Sequence, residues 1–446
     1  MSGRLIALDK MPGIRPIGIG ETWRRLFAKS VIEDSGAEVV EACGCKQLCA
    51  GLKAGIEGAV HTASSFWEEH CGDDQTGFLL IDASNAFNEM NRIRMLYEIR
   101  YRWPSGAQFV FNCYRHWSKL LLRSPSGCLH LYSMEGVTQG DPTAMLMYGI
   151  GTLPIIHQLN SLRTEAMQLW YADDASIGGK FANICKMFDK LTEIGPRFGY
   201  FPNPKKCILL VHKQCLSAAL AYFKQYGFQI KDGARFLGGY IGTTSGKNSF
   251  IQDKVLNWTT AINDLSQVAT VYPQTAYTGL SKSLQHEWAY IQRVIPNIAN
   301  ELLPIQASIT NTFLPSLFGH ALQDDYVSAM TSFPVQLGGL SLPNPRTDSP
   351  YNYQSSLLLA SHLIRSLRGQ EDFSVMTHLA MRKSISIRRT ADLAQRHLAL
   401  ICEITKDLPP LTKRILDRGQ STGHWLSVFP STFTDTQPVT CALPSV

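Results

Sequence analysis

The chain has 446 residues and a formal net charge of +6; 45% of its residues are apolar and 17% are charged. This length and composition predict about two to four folded domains and exclude a largely disordered protein. The modest positive charge permits a nucleic-acid partner without requiring one. Because we find neither a signal peptide nor an apolar run of about 18 residues, we expect an intracellular protein without a membrane partner, in the nucleus or the cytoplasm.

The 11 cysteines are odd in number and irregularly spaced, which favours reduced thiols over a disulfide framework. Cys43, Cys45 and Cys49 cluster, and such a cluster raises the question of a zinc site. No matching Cys or His pair follows at the spacing of a zinc finger. We therefore favour structural cysteines at these positions.

The first part of the chain predicts a turn, two helices and a buried strand. Glycines and prolines in residues 11–20 favour a loop or a short hairpin, and residues 21–35 predict a helix. The apolar run 77–83 predicts a buried strand. Residues 92–103 are amphipathic and predict a helix that ends before Pro104.

The middle of the chain changes from mixed elements to helices. A glycine-containing loop precedes a helix in which Asp141 is the predicted N-cap and Pro142 the first helical residue. Residues 191–211 predict a helix, a turn and a strand, and residues 235–242 predict a short strand with a glycine kink. After Phe250, apolar residues recur at helical spacing and predict one buried face. These residues are Val255, Trp258, Ile262 and Leu265.

The last quarter of the chain is basic. Residues 333–353 are rich in Gly and Pro and predict a linker or a domain boundary. Residues 361–420 contain 11 Lys plus Arg and 6 Asp plus Glu, a net charge of +5. Their positive side chains either form a solvated helix face or contact phosphates, and the sequence supports both interpretations equally. Residues 431–446 lack periodicity and are expected to be disordered.

Two predicted strands end in carboxylates. Asp82 follows the apolar run of the first strand, and Asp173 and Asp174 occupy the turn of a predicted hairpin. Asp-Asp is a poor hairpin turn compared with Asn-Gly or Asp-Gly. If the two strands are neighbours, these carboxylates converge, and Mg²⁺ suits such oxygen ligands at a solvent-reachable edge.

Five segments resemble motifs A to E of reverse transcriptases, and they occur in the same order. They are "FLLIDASNAF", "EGVTQGDP", "YADD", "GYFPNPKKC" and "FLGGYIG". Upstream, "RPIGIGETWRRLFAKS" and "QLCAGLKAGIEGAV" are similar to the fingers blocks of that family, so the resemblance covers residues 15–242, about half of the chain. The "QGDP" and "NPKKC" segments are typical of retrotransposons that lack long terminal repeats.

The resemblance implies an α+β right-hand polymerase with fingers, a palm built on an antiparallel sheet, and a helical thumb. Fingers and palm would occupy residues 1–249, the thumb residues 250–340, and a basic helical region residues 341–430. The implied activity is RNA-directed DNA polymerase: nucleotidyl transfer of dNTPs onto a primer 3′-OH, with two Mg²⁺ ions or Mn²⁺ in their place. An RNA template, a DNA primer and dNTPs would be the partners, and protein partners stay unknown.

The resemblance also assigns catalytic roles residue by residue. Asp82 and Asp173 would be metal ligands, with Asp174 as a weaker third acid. Lys206 matches the motif D lysine that protonates or neutralises the departing pyrophosphate, although Lys205 beside it is an alternative.

Nucleotide and nucleic-acid contacts follow in the same way. Phe87, five residues after Asp82, matches the steric gate that excludes a ribose 2′-OH. Gln139 and Gly140 match motif B beside the incoming nucleotide. Exposed cations are the remaining candidates: Arg15, Arg24 and Arg25 for the triphosphate, and Lys383, Arg388 and Arg389 for the template–primer.

Some features depart from the family pattern and leave alternatives open. Asn85 and Asn88 stand where some relatives carry Asp, although none of the three acids is lost. We identify no endonuclease pattern and no RNase H-like set of acids, so a fragment of a larger element protein is one expectation. A decayed or domesticated protein that binds nucleic acid without polymerising is one alternative, and an RNA-dependent RNA polymerase is another.

Overall fold

The computed structural model describes residues 2–9, 14–125, 127–322, 325–406 and 408–419, so the predicted tail 431–446 lies outside the described residues. The described residues form two compact units. Unit 1 comprises those up to Leu237, together with Ile241–Thr243 and Ala360–Met381. Unit 2 comprises Gly238–Tyr240, the described residues of Thr244–Leu359, and those from Arg382 onward.

The described strands are short and are numbered in chain order. They are β1 (Ser2–Asp9), β2 (Ile14–Gly20), β3 (Thr76–Ile81), β4 (Ser118–Ser124), β5 (Gly127–Ser133), β6 (Met167–Tyr171), β7 (Asp174–Lys180), β8 (Ile208–Leu210), β9 (Gln229–Lys231), β10 (Gly233–Phe236) and β11 (Gly239–Gly242).

A five-stranded sheet in unit 1 has the order β6-β7-β3-β8-β9. β3 is its central strand and pairs antiparallel with both β7 and β8, while β6 pairs antiparallel with β7. Only β8 and β9 are parallel among the described strands of this sheet. Five of the six residues of β3 are buried, because a central strand covered on both faces needs a continuous apolar run.

A second sheet in unit 1 has the order β2-β1-β4-β5. β1 and β2 pair antiparallel, so residues 14–20, predicted to lie in a loop or a short hairpin, form one strand that pairs with residues 3–9. β1 also pairs with β4 in parallel, and β4 pairs with β5 as a further antiparallel hairpin.

Helices make up most of the rest of unit 1 up to Leu237. They are α1 (Thr22–Cys43), α2 (Gly55–Glu69), α3 (Ala86–Glu89), α4 (Arg92–Arg102), α5 (Pro104–Tyr114), α6 (Ala144–Asn160), α7 (Phe181–Ile194) and α8 (Leu216–Tyr222), with short 3₁₀ turns at Gly195–Phe198 and Lys213–Cys215.

The described chain after Thr243 is helical. The helices are α9 (Thr244–Ala269), α10 (Pro273–Gly279), α11 (Gln285–Val294), α12 (Leu303–Ser308), α13 (Leu314–Phe318), α14 (Asp325–Thr331), α15 (Pro345–Leu359), α16 (Ser361–Leu367), α17 (Val375–Thr405) and α18 (Pro410–Gly419), with π-helical turns at Leu280–Leu284 and Ile309–Phe313 and a 3₁₀ turn at Val335–Leu337. None of the described helices is both long and apolar enough to cross a membrane.

The predicted α+β class is confirmed, with mainly antiparallel sheets in unit 1 and a helical region after them. One apolar core joins α6 to the five-stranded sheet, with Leu79, Trp170 and Ile177 on the sheet side. Twelve of the 17 residues of α6 are buried, as expected of a helix that is apolar on all sides. The apolar periodicity predicted for α9 is also present, since Val255, Trp258 and Ile262 are buried there and Leu265 is half-buried.

Two local predictions near the motifs were wrong in detail. The helix after the glycine loop begins at Ala144 rather than Pro142, although the Asp141 carboxylate accepts the Thr143 N–H at 2.9 Å, a contact typical of a capping residue. The segment 235–242 is not one kinked strand but the hairpin of β10 and β11. Leu237 and Gly238 both have positive φ, and this is what turns the chain back.

The predicted linker 333–353 is partly helical. α15 begins at Pro345, and Pro350 lies inside it. Asn344 caps this helix, because its side-chain oxygen accepts the N–H of Arg346 at 2.9 Å. Proline is compatible with the first turn of a helix, where the backbone N–H has no helical partner. The Gly and Pro content of this segment therefore marked a helix start, and the segment lies within unit 2 rather than at a boundary between the units.

Residues 360–381 belong to unit 1 although the preceding segment, Thr244–Leu359, belongs to unit 2. α16 packs on α2, where Leu363 is fully buried. A Cβ added to Gly58 would lie 2.5 Å from Leu363 Cδ2, so any side chain at position 58 would displace Leu363 from its present place. The region 341–430, predicted as one domain, is thus divided between the two units.

Candidate active site

The three predicted acids lie at one end of the five-stranded sheet. Asp82 directly follows β3, and Asp173 and Asp174 lie at the β6–β7 turn. β3 and β7 are adjacent antiparallel strands, with Ile81 paired with Ala175. This register places Asp82 beside Asp174, so the strands are neighbours as the carboxylate argument required.

Tyr200 lies beneath this end of the sheet and interacts with all three acids. Its hydroxyl donates to the backbone carbonyl of Asp173 at 3.0 Å. Burial raises the pKa of Tyr200 well above its usual value, and the charges of Asp173, Asp174 and Asp82 raise it further. The phenol therefore stays protonated and remains a hydrogen-bond donor to the turn. Sequence reasoning did not identify it, although it lies within the "GYFPNPKKC" motif.

The exposure of the acids bears on whether they fit a metal ion. Asp82 and Asp174 are exposed and Asp173 is half-buried. Within the described ranges, no three or more His, Cys, Asp or Glu side chains are grouped closely enough to hold a metal. Carboxylates at an open sheet edge are nevertheless the donors that Mg²⁺ takes when it keeps several of its own waters and binds substrate phosphates. The donor chemistry fits Mg²⁺, and a closed protein cage is not needed.

The motif D segment is hydrogen-bonded to the backbone around Asp82. The Asn203 N–H donates to the Asp82 carbonyl at 2.8 Å, and the Ser84 N–H donates to the Phe201 carbonyl at 2.9 Å. Lys205 and Lys206 follow Asn203, and both are exposed. The backbone geometry therefore brings both lysines to the neighbourhood of the acids and does not choose between them.

Phe87 stacks on Tyr148 of α6. The ring centroids are 4.3 Å apart and the ring planes are inclined by 16°. Tyr148 is buried, and its pKa is raised well above the usual value by burial and by nearby groups that include Asp173 and Asp174. Phe87 is half-buried, so one part of it rests on Tyr148 while another part is open to solvent. Tyr148 is a second residue that the sequence reasoning missed.

The motif B loop is joined to the N-terminal hairpin. The Gly18 N–H on β2 donates to the Gln139 carbonyl at 2.7 Å. Gly140 has φ +104°, and a Cβ there would lie 2.7 Å from the Gly18 carbonyl oxygen. Gly140 was predicted to allow a close approach of substrate, which stays a prediction, and the structure shows a close approach of Gly140 to the backbone of β2. Both the positive φ of Gly140 and its short distance to the Gly18 carbonyl oxygen favour glycine at this position.

The three candidate arginines of the N-terminal region have different surroundings. Arg24 forms an ion pair with Asp141, and its guanidinium lies 5.0 Å from the ring centroid of Tyr114. Its side chain is only 12% exposed. Arg15 and Arg25 are exposed. The ion pair of Arg24 with Asp141 thus links α1 to the motif B loop, whereas the side chains of Arg15 and Arg25 are exposed to solvent.

The three basic candidates of unit 2 also differ from one another in exposure and contacts. Lys383 and Arg388 are exposed on α17. Arg389 is half-buried, donates to the Asn352 side-chain oxygen at 3.2 Å, and lies 5.8 Å from the ring centroid of Tyr351. Arg389 therefore packs α17 against α15, a contact that the charge pattern alone did not indicate.

Comparison with known proteins gives matches only among solved structures. No protein-family model and no curated protein matches the chain. The chain is similar to apo telomerase from Candida tropicalis (TM-score 0.45, 10% identity, 90% of this chain and 67% of that one) and to telomerase from Candida albicans in complex with a TWJ fragment of telomeric RNA (TM-score 0.43, 11% identity, 95% and 66%). For apo telomerase from Candida tropicalis truncated from its C-terminal domain, the TM-score is 0.39, the identity 12%, and the coverage 54% of this chain and 53% of that one. The chain thus spans about half to two thirds of the length of these structures.

Proposed function

We propose that the chain is an RNA-directed DNA polymerase of a retroelement of the type that lacks long terminal repeats. The observation that carries the proposal is the meeting of Asp82, Asp173 and Asp174 at one end of adjacent antiparallel strands, next to the buried phenol of Tyr200. The acids belong to motif-like segments that follow the family order along the chain.

In this proposal Asp82, Asp173 and Asp174 would hold two Mg²⁺ ions, which when bound would lower the pKa of the primer 3′-OH and offset the charge of the leaving pyrophosphate. The primer 3′-OH gives its proton to solvent, its oxygen forms a bond to the α-phosphorus of the dNTP, and the bond from that phosphorus to the pyrophosphate oxygen breaks, so that pyrophosphate leaves. Lys206 or Lys205 donates a proton to the departing pyrophosphate or neutralises its negative charge. Both lysines are exposed and follow the segment that is hydrogen-bonded to Asp82.

The remaining residues would position the nucleotide. The exposed part of Phe87 crowds the sugar 2′ position, and Gln139 and Gly140 form the loop beside the base and sugar. Arg15 and Arg25 are the better candidates for phosphate contacts, since Arg24 already has Asp141 as its partner.

Primer extension by purified protein tests the proposal. RNA-templated dNTP incorporation that requires Mg²⁺ is the expected result, with Asp82→Asn protein as the matched negative control. Binding of template–primer without extension would support the non-polymerising alternative. Faster incorporation of rNTPs than of dNTPs would support the RNA-polymerase alternative.

A further inference from the structure

Gln47 lies in the segment between α1 and α2 and is completely buried. Its side-chain oxygen accepts the N–H of Ala172 at 2.9 Å. Its side-chain nitrogen donates to the Ala172 carbonyl at 3.1 Å and to the Thr152 hydroxyl at 3.0 Å. One amide side chain thus binds both backbone polar groups of a residue 125 positions away in the sequence.

Ala172 is the residue that begins the turn of the acids. It has φ +53°, in the left-handed region that alanine rarely adopts, and it immediately precedes Asp173. A non-glycine residue in this region costs on the order of 1 kcal/mol or more and persists only when its surroundings enforce it. The contacts of Gln47 are such an enforcement, because they fix the direction of both peptide groups that flank the Ala172 Cα.

The neighbouring chain supports the same contact. The Leu48 N–H donates to the Trp170 carbonyl at 2.9 Å, so the segment that carries Gln47 is hydrogen-bonded along β6. Thr152 lies on the buried helix α6, and its hydroxyl accepts the third hydrogen bond of the Gln47 amide. Gln47 therefore connects α6, β6 and the turn in one buried network.

We infer that Gln47 is a positioning residue that sets the conformation of the Ala172–Asp173 turn and thereby the direction of the Asp173 and Asp174 carboxylates. Gln suits this role because it offers an acceptor and a donor on one planar group of sufficient length. Glu would lose the donor, and Met would lose both. The catalytic meaning of the inference rests on the proposed polymerase function.

The substitution Gln47→Met tests it, since Met fills a similar volume without hydrogen-bonding the turn. Gln168→Met is the matched control, because the Gln168 side chain on β6 accepts the Trp170 indole N–H at 2.8 Å but is not bonded to Ala172. Hydrogen exchange of the Ala172 amide, the thermal midpoint, and kcat and KM for dNTP incorporation are measured for both variants and for the parent protein.

In Gln47→Met the Ala172 amide should exchange at least about 10-fold faster, and kcat should fall by about 10-fold to 100-fold, the range found when a residue that orients a metal ligand is lost. The KM for dNTP should stay within about twofold, and the Mg²⁺ concentration for half-maximal rate should rise. Gln168→Met should leave kcat and Ala172 exchange unchanged. Unchanged exchange at Ala172, or an equal fall in the control, overturns the inference.

Thr152→Val provides a second variant if Gln47→Met does not fold. It removes the third hydrogen bond of the Gln47 amide, together with the bond that the Thr152 hydroxyl donates to the Gly149 carbonyl at 2.9 Å within α6. A smaller change of the same sign in exchange and kcat is expected. No change in Ala172 exchange in this variant overturns the inference as well. The exchange measurement needs no polymerase activity. An inactive parent protein would therefore contradict the proposed function, while Ala172 exchange would still show whether Gln47 sets the conformation of the turn.

Discussion

Truncation of Phe87 is expected to reduce sugar selection with only a moderate loss of stability. Phe87→Val removes the ring that stacks on Tyr148 with a centroid distance of 4.3 Å. The stacking contributes about 0.5–1.5 kcal/mol beyond the area that it buries. Because Phe87 is half-buried, the total loss should stay below the roughly 3–5 kcal/mol typical of truncating a fully buried aromatic residue to Ala.

The assay is single-nucleotide insertion with matched dNTP and rNTP pairs on an RNA template. An added ribose hydroxyl that no longer meets the ring should be accepted, so the ratio of kcat/KM for dNTP to that for rNTP should fall by at least about 10-fold. The KM for dNTP should rise only moderately. Thermal unfolding measured in parallel gives the stability loss.

Phe109→Val is the control for packing, because Phe109 is also a half-buried phenylalanine at the edge of the same core. Its selectivity should equal that of the parent protein. A folded Phe87→Val protein that rejects rNTPs as strongly as the parent would refute the gate. Tyr148→Leu should loosen the gate in part, since it removes the surface on which Phe87 rests.

Three further predictions concern the acids, the basic helix and a buried histidine. Asp82→Asn and Asp173→Asn should each abolish Mg²⁺-dependent synthesis, as seen in primer extension over a Mg²⁺ titration. Replacing Lys383 and Arg388 by Ala should flatten the slope of log K against log salt by about 1.8 on duplex DNA, measured by template–primer binding at several salt concentrations. Burial lowers the pKa of His61 to about 4, against the opposing charge of Glu57. Because this folded pKa lies below the unfolded value of about 6.5, the free energy of unfolding should fall by about 3 kcal/mol as the pH falls from 6.5 to 4, measured by denaturant titration.

Each of these predictions has a matched variant. Asp174→Asn should retain more synthesis than the other two acid variants, and equal loss in all three would contradict its role as the weaker acid. Arg389→Ala should lower stability without the salt effect of an exposed cation, since Arg389 packs on Tyr351. His61→Leu should remove most of the loss of stability between pH 6.5 and 4, and an unchanged pH dependence would assign that loss to other groups.

Local sequence signals were sufficient for the elements that carry the acids. The apolar run before Asp82 and the strand residues around Asp173 specify β3 and the β6–β7 hairpin, because these elements depend on burial patterns within a few residues. The helix after Asn91 was predicted for the same reason, and its bounds, Arg92–Arg102, are close to those expected.

Contacts between distant parts of the chain were not predictable from local pattern. An exposed arginine and an arginine paired with a carboxylate have the same sequence signal, so nothing marked Arg24 as the partner of Asp141. The hydrogen bond of Tyr200 to the Asp173 carbonyl depends on tertiary packing in the same way. Residue type gave the chemistry of the candidate site, while the side chains that support it required the fold.

The return of residues 360–381 to unit 1 affects how the protein is made and how it tolerates truncation. During synthesis, the surface of α2 that receives Leu363 stays uncovered until the ribosome has added the whole of Thr244–Leu359 and the residues after it. A chain cut after Thr243 would keep every motif-like segment and would still leave the apolar surface around Gly58 open to water. Such a fragment should aggregate more readily than the longer chain, and supplying residues 360–381 on a flexible linker should restore its solubility.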